Sequence, residues 1–239
     1  SPARFESIAA SLCGKLFADY GDLPKEDETS NLYGSTPYPS DREILFHNES
    51  SHMPQWPRRQ FFTCLVAAQE GGETPLVDCR EVYRCLPKDL AAKFAREGLL
   101  YVRNFLPGVD VSWAQFFRTS DRAEVEARCR SWGIGFEWFE DGSLKTWRTA
   151  QAVLRHPQTG ETSFFNQIAL HHPSRVDLQV RQSLDQLYGE HRPPRDVRFG
   201  DGQPIDDAIV NEIAGLMDSL SVGFRWQEGD VVALDNLSV

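Results

Sequence analysis

The sequence is short of positive charge. Its 25 Lys and Arg face 35 Asp and Glu, a formal net charge of −10, whereas nucleic-acid binding draws most of its affinity from clustered basic side chains. A phosphate-backbone partner is therefore not expected. Long apolar runs are also missing. No stretch approaches the roughly 20 residues that cross a bilayer, and no leading basic-then-apolar segment reads as a secretory signal. No membrane partner is expected. The five cysteines, Cys13, Cys64, Cys79, Cys85 and Cys129, are odd in number and contain no CxxC pair. Neither a disulfide framework nor a zinc site is indicated, and a reducing, cytoplasmic setting fits best. No GxSxG motif is present, which weakens a reading as a hydrolase built on His and Glu. Internal repeats and low-complexity tracts are absent as well.

What remains is ordinary for a globular chain: 239 residues, 41% apolar and 25% charged. That length can bury one sizeable core, so one domain over residues 1–239 is the expectation. Its most informative stretch is FHNESSHMPQWPRRQFFTCLVAAQEGGET, Phe46 to Thr74. His47 and Glu49 stand two apart at its start. In an extended chain such residues project from one face, so an imidazole nitrogen and a carboxylate oxygen can converge on a metal. The odd offset of His52 sends it to the opposite face of a continuing strand. His171 and His172, adjacent in a strand, would face opposite ways.

Ser1-Pro2 opens a helix with Phe5, Ile8, Ala9, Leu12 and Leu16 at helical spacing. Gly21 to Ser40 reads as a long surface loop. Arg59 to Ala68 is β-prone, Asp78 caps a helix over Arg80 to Cys85, and Pro87 to Glu97 forms another that Gly98 stops. Leu99 to Phe105 is a strand and Thr119 to Trp132 a charged helix. Hairpins are expected around Asp141-Gly142 and around HPQTGE, between Ala152–Arg155 and Thr162–Phe165. Helices over Val176–Tyr188 and Ile205–Leu220 precede a final strand within Trp226–Val239. This interspersion predicts a mainly β fold with flanking helices, a β-sandwich or jelly roll (double-stranded β-helix).

Four motifs in order, HNESSHMPQWPRRQFF, GGETPLVD, FNQIALHHPS and GDVVALDN, resemble the TauD/TfdA family of Fe(II)- and 2-oxoglutarate-dependent oxygenases. Within that family the likeness is greatest to the SyrP-like amino-acid hydroxylases of nonribosomal peptide synthesis. The resemblance runs from Tyr33 onward. It implies that His47 and Glu49 are metal ligands and that Thr74, closing GGET, contacts 2-oxoglutarate. A distal His would follow Asp235-Asn236, just after Val239, and an Arg further on would grip the cosubstrate. Relative to the usual family chain, N-terminal and C-terminal parts are expected to be missing.

The resemblance further implies Fe(II), 2-oxoglutarate and O2 as cofactor and cosubstrates, and a substrate that is an amino acid or a derivative, free or loaded on a carrier protein, in secondary metabolism. Two imidazoles and a carboxylate on one face leave neighbouring metal positions open, which suits such chemistry. Related halogenases leave the carboxylate position empty for chloride, so Glu49 favours hydroxylation or another halide-free oxidation. Ser35, Thr36, Asn166 and Gln167 are the candidate substrate contacts. A second reading, of another class, is a non-catalytic jelly-roll module that binds a carrier protein or a small ligand.

Overall fold

The computed structural model describes residues 1–16, 31–34, 43–189 and 192–239. In chain order its elements are α1 (Pro2–Cys13), β1 (Arg59–Thr63), α2 (Cys79–Cys85), α3 (Lys88–Glu97), β2 (Leu99–Phe105), α4 (Trp113–Phe117), α5 (Arg122–Ser131), β3 (Gly135–Trp138) and β4 (Leu144–Ala150). They continue with β5 (Val153–Arg155), β6 (Thr162–Phe164), α6 (Ile168–His171), a 3-10 turn (Pro173–Arg175), α7 (Leu178–Tyr188), β7 (Arg195–Phe199), α8 (Asp207–Leu220) and β8 (Val231–Asp235).

Local chemistry accounts for most boundaries. The Asp78 carboxylate accepts the Arg80 backbone N–H at 2.9 Å and starts α2, as Asp121 does for Ala123 and α5 at 2.8 Å, each supplying an acceptor to an orphan amide of the first turn. Gly98 ends α3 with φ 70°, a conformation that costs glycine little and other residues more. Ser112 and Gln115 form a reciprocal capping box on α4, a short helix that the apolar pattern alone does not announce. Ser1 precedes α1, but its side chain makes no capping bond.

The strands pair antiparallel in three groups: a four-stranded sheet in the order β3-β4-β2-β7, a β5-β6 hairpin, and a β1-β8 ribbon that joins chain segments far apart in sequence. Substantial sheet with flanking helices is thus observed, but more of the described residues lie in helices than in strands, so the mainly β composition expected from the sequence is not met. β1 ends at Thr63 rather than near Ala68, because its partner begins at Val231 and the chain before that point turns at Glu228-Gly229, leaving only the Cys64 backbone bonds to Gly229 and Asp230. The segment carrying His47 and Glu49 is not a strand. Residues 43–48 have irregular backbone, a turn follows at Glu49-Ser50, and Ser50 takes φ 55°. His171 ends a short helical turn, so the strand expected there is also absent. The loop expected at Gly21–Ser40 lies mostly outside the described residues.

The main core lies between α2, α3, α8 and one face of the sheet, with Val82, Phe94, Leu99, Phe164, Ile168, Val197 and Val210 fully enclosed. A second cluster, Phe105, Phe117, Val125, Cys129 and Leu144, packs α4 and α5 beneath the β3-β4 end. Among the described residues no helix is long and apolar enough to cross a membrane.

Candidate metal centre

His47 and Glu49 converge, although not by way of a strand. His47 Nε2 lies 3.4 Å from Glu49 Oε2, both side chains being mostly enclosed. On the other side of the ring Nδ1 is 2.7 Å from the Leu45 carbonyl oxygen. A carbonyl can only accept, so Nδ1 carries a proton and Nε2 presents its lone pair to the carboxylate when the imidazole is neutral. Two acceptors aimed at each other require a cation between them, a proton or a metal ion. Burial opposes a charged ring, yet the hydrogen bond and charge of Glu49 and the Leu45 carbonyl outweigh it, so the His47 pKa is raised. The Nδ1–H···O=C bond is also the kind of outer contact that fixes a metal-binding imidazole's tautomer. These residues fit two ligands of a divalent metal. Among the described residues no group of three or more His, Cys, Asp or Glu is placed to hold one.

The pair is held by asparagines. Asn48, between the two candidate ligands and only 2% exposed, donates from Nδ2 to the carbonyls of Asn236 at 2.9 Å and Val239 at 3.1 Å. Its Oδ1 accepts the Asn166 N–H at 2.9 Å, and its carbonyl accepts Gln167 Nε2 at 3.1 Å. Asn236, wholly buried, answers in kind: Oδ1 accepts the Glu49 N–H at 2.6 Å, while Nδ2 donates to the carbonyls of Glu49 at 3.0 Å and Pro57 at 2.7 Å. An irregular segment has no ladder to satisfy its amides, and these side chains replace one. Next door, His156 accepts the Gln158 and Thr159 N–H groups on Nδ1, so Nε2–H donates to Asp235 Oδ2 at 3.0 Å. Cys79 sits behind Asn48, and burial pushes its thiol up to about 11, which removes it as a nucleophile at neutral pH.

Of the other candidates, Asn166 and Gln167 are buried and committed largely to this web, with Asn166 Nδ2 left unpartnered. Thr74 Oγ1 accepts the Trp226 indole N–H at 2.8 Å, which leaves its own O–H to donate. Ser35 and Thr36 lie outside the described residues. His52 does not follow strand alternation. The turn at Glu49-Ser50 swings it onto Tyr101 and His171, ring centroids 5.7 and 4.9 Å away. His172 turns elsewhere, bonding the Ile205 carbonyl at 3.0 Å and Ser174 at 2.7 Å. The asparagine pair and the histidine cluster were not identified as such from sequence; the only signal was their place inside the motifs.

The family described as taurine catabolism dioxygenase TauD, TfdA family, matches residues 5–239. The chain belongs to the TauD/TfdA family. Dapdiamide synthesis protein DdaC of Enterobacter agglomerans is 34% identical over 215 residues, covering 90% of this chain and 65% of that protein. A clavaminate synthase-like protein of Arabidopsis thaliana is 29% identical over 230 residues, covering 92% of this chain and 66% of that one. The chain therefore spans just under two thirds of the length of these TauD/TfdA relatives. A crystal structure of a taurine dioxygenase from Burkholderia xenovorans superposes with a TM-score of 0.40 and 15% identity over 80% of this chain and 47% of that one, too loosely to support any argument.

Proposed function

We propose that this TauD/TfdA member is an Fe(II)- and 2-oxoglutarate-dependent oxygenase that oxidises an amino acid or amino-acid derivative in secondary metabolism, on a double-stranded β-helix frame. The observation that carries the reading is the opposed pair His47 Nε2 and Glu49 Oε2, 3.4 Å apart. Family membership and the relative named for dapdiamide synthesis support it. Bound at this pair with 2-oxoglutarate and O2, iron would supply the two-electron oxidation of a C–H bond, with succinate and carbon dioxide as coproducts.

In this reading His47 and Glu49 hold the metal, and a third nitrogen donor comes from just past Val239, whose carbonyl already bonds Asn48 beside them. The Thr74 hydroxyl, its acceptor side occupied by Trp226, donates to a 2-oxoglutarate oxygen. Ser35, Thr36, Asn166 and Gln167 are proposed to face the substrate, Asn166 with its unpartnered Nδ2. Glu49 leaves no place for chloride at its position, which directs the reaction to hydroxylation or desaturation. Whether the substrate rides on a carrier protein is part of the same proposal.

The test is conversion of 2-oxoglutarate to succinate by the full-length protein. It should require Fe(II), and His47→Ala should lower it by about 100-fold or more, the loss of a metal ligand exceeding the roughly 10–100-fold cost of an outer-shell contact. Turnover that survives both metal removal and the substitution sinks the proposal.

A further inference from the structure

The inward face of the four-stranded sheet changes character along its length. Side chains alternate across a strand, so the registers place Ala150, Leu99 and Phe199 in one row, then Arg148, Tyr101 and Val197, then Thr146, Arg103 and Arg195. The first row is apolar and enclosed in the main core. The next two bring three guanidinium groups onto a face that is otherwise buried, at the end where His52 and His171 pack over Tyr101.

Arg148 is the informative member. It is half-buried, and its only hydrogen bond among the described residues runs from Nη1 to the His52 carbonyl at 3.0 Å. No carboxylate among them pairs with it. A half-buried cation without a counter-ion is costly unless a ligand supplies one, and a guanidinium with most of its five donors unused matches a carboxylate fork. Burial lowers the Arg148 pKa, in keeping with no anion beside it among the described residues. Arg103 and Arg195 already show what this face binds: both reach the same oxygen of Asp110, Arg195 at 2.6 Å and Arg103 at 3.5 Å.

The neighbouring imidazoles add a second, independent feature. Gln167 Nε2 donates to the Asn48 carbonyl, so its Oε1 is an acceptor, and His171 Nε2–H donates to it at 3.1 Å. Nδ1 of His171 is then a bare acceptor inside the protein with no partner among the described residues, and Nδ1 of His52 likewise has none among them. His171 is 5% exposed. Lone pairs in that position call for an N–H donor. The cluster also adjoins the metal pair, since His52 feels the charge of Glu49 and His171 that of His47.

We propose that Arg148, flanked by Arg103 and Arg195, seats a carboxylate of the substrate beside His47 and Glu49, and that the His52 and His171 Nδ1 atoms receive its amino group. This rests on the oxygenase reading and deepens it. The substrate is an amino acid that keeps a free carboxylate, either the α-carboxylate of an untethered molecule or a side-chain carboxylate of one bound through its α-carbonyl. A substrate whose carboxylates are all esterified or amidated is excluded.

The experiment measures binding rather than turnover. The full-length protein is screened, with and without Mn(II), against free L-amino acids, their α-amides, their side-chain amides and 2-oxoglutarate, by shift of the thermal midpoint, which rises with ligand occupancy. At least one free amino acid should raise the midpoint. Loss of this effect in the α-amide or in the side-chain amide identifies which carboxylate is held. Arg148→Met should weaken that binding by about tenfold or more, and Arg148→Lys, which keeps the charge and the fold but not the fork, should fall between. Stabilisation by 2-oxoglutarate should be unchanged in both variants. His47→Ala should retain amino-acid binding while losing succinate formation, so retained turnover in that variant would count against the iron reading and not against this seat. The proposal is overturned if no free amino acid binds, if the amides bind as well as the acids, if both Arg148 variants keep wild-type affinity, or if they lose 2-oxoglutarate instead.

Discussion

At the scale of single residues, the site is governed by which nitrogen of each imidazole carries the proton. The Leu45 carbonyl fixes it on Nδ1 of His47, Gln167 fixes it on Nε2 of His171, and Asp235 with two backbone amides fixes it on Nε2 of His156. The result is that His47 turns a lone pair toward a carboxylate, whereas His156 and His171 each turn an N–H toward an acceptor oxygen. For His52, burial is the largest cause, followed by the charges of Arg103 and Arg195, and together they lower its pKa to about 4; His171 is lowered for the same reasons, with His52 itself contributing. The unfolded chain would protonate these rings near their ordinary value of about 6.5, whereas the folded chain resists. Stability is therefore complete above about pH 6.5 and is lost as the pH falls toward about 4, by about 3 kcal/mol for His52. Urea unfolding from about pH 7 to about pH 4.5 should show that slope, and His52→Asn should flatten it. Equal slopes for the two proteins would mean that His52 does not titrate as its surroundings require. The sequence made the His47–Glu49 convergence legible because an i, i+2 offset survives irregular backbone. The strand alternation used for His52 does not apply, because the segment is irregular and turns at Ser50, a positive-φ residue.

Elements differ in how well their sequences announce them, and the reason is whether the signal is local. Asp78, Gly98, Asp121 and Asp141-Gly142 act within a turn, and the helices and hairpin they bound appear where their chemistry puts them. β7 went unrecognised. Its sequence, RDVRF, offers one buried Val and one buried Phe among charges, and its strand character comes from pairing with β2, a partner almost a hundred residues away. That missed strand is also what sets Arg195 opposite Arg103, so the charged end of the sheet could not be read before the topology was known. Between the elements, packing centres on Phe94. The ring is fully buried, 5.1 Å from Phe164 and 5.4 Å from Phe199 centre to centre, joining α3 to both the β5-β6 hairpin and the four-stranded sheet. Phe94→Ala should cost about 3–5 kcal/mol, the transfer of the ring plus the cavity it leaves. Phe94→Leu should recover more than half of that in the same urea titration. A loss under about 1 kcal/mol for the alanine variant would show that α3 closes over the gap.

On the scale of the whole molecule, the site is where two segments far apart in the chain are joined, Asn48 and Asn236 being 188 positions apart. β1 pairs with β8, Asn48 reaches the carbonyls of Asn236 and Val239, and Asn236 returns three bonds to Glu49 and Pro57. Closing a loop of that length costs entropy that grows only slowly with its size, so a few well-made contacts suffice to hold it. The two asparagine side chains do not bond each other; each bonds the backbone of the other's segment. If they act as one clasp, either substitution alone frees the segment and leaves the remaining asparagine with little to hold. Asn48→Ala and Asn236→Ala should then each cost about 2–4 kcal/mol, since each strands more than one buried backbone group. The double variant should lose less than the sum, with a coupling of about 0.5–3 kcal/mol. A double-mutant cycle in urea reads this directly. Strict additivity would mean that two separate anchors hold the site, and the HNE segment would then keep its place beside β8 when either one is lost.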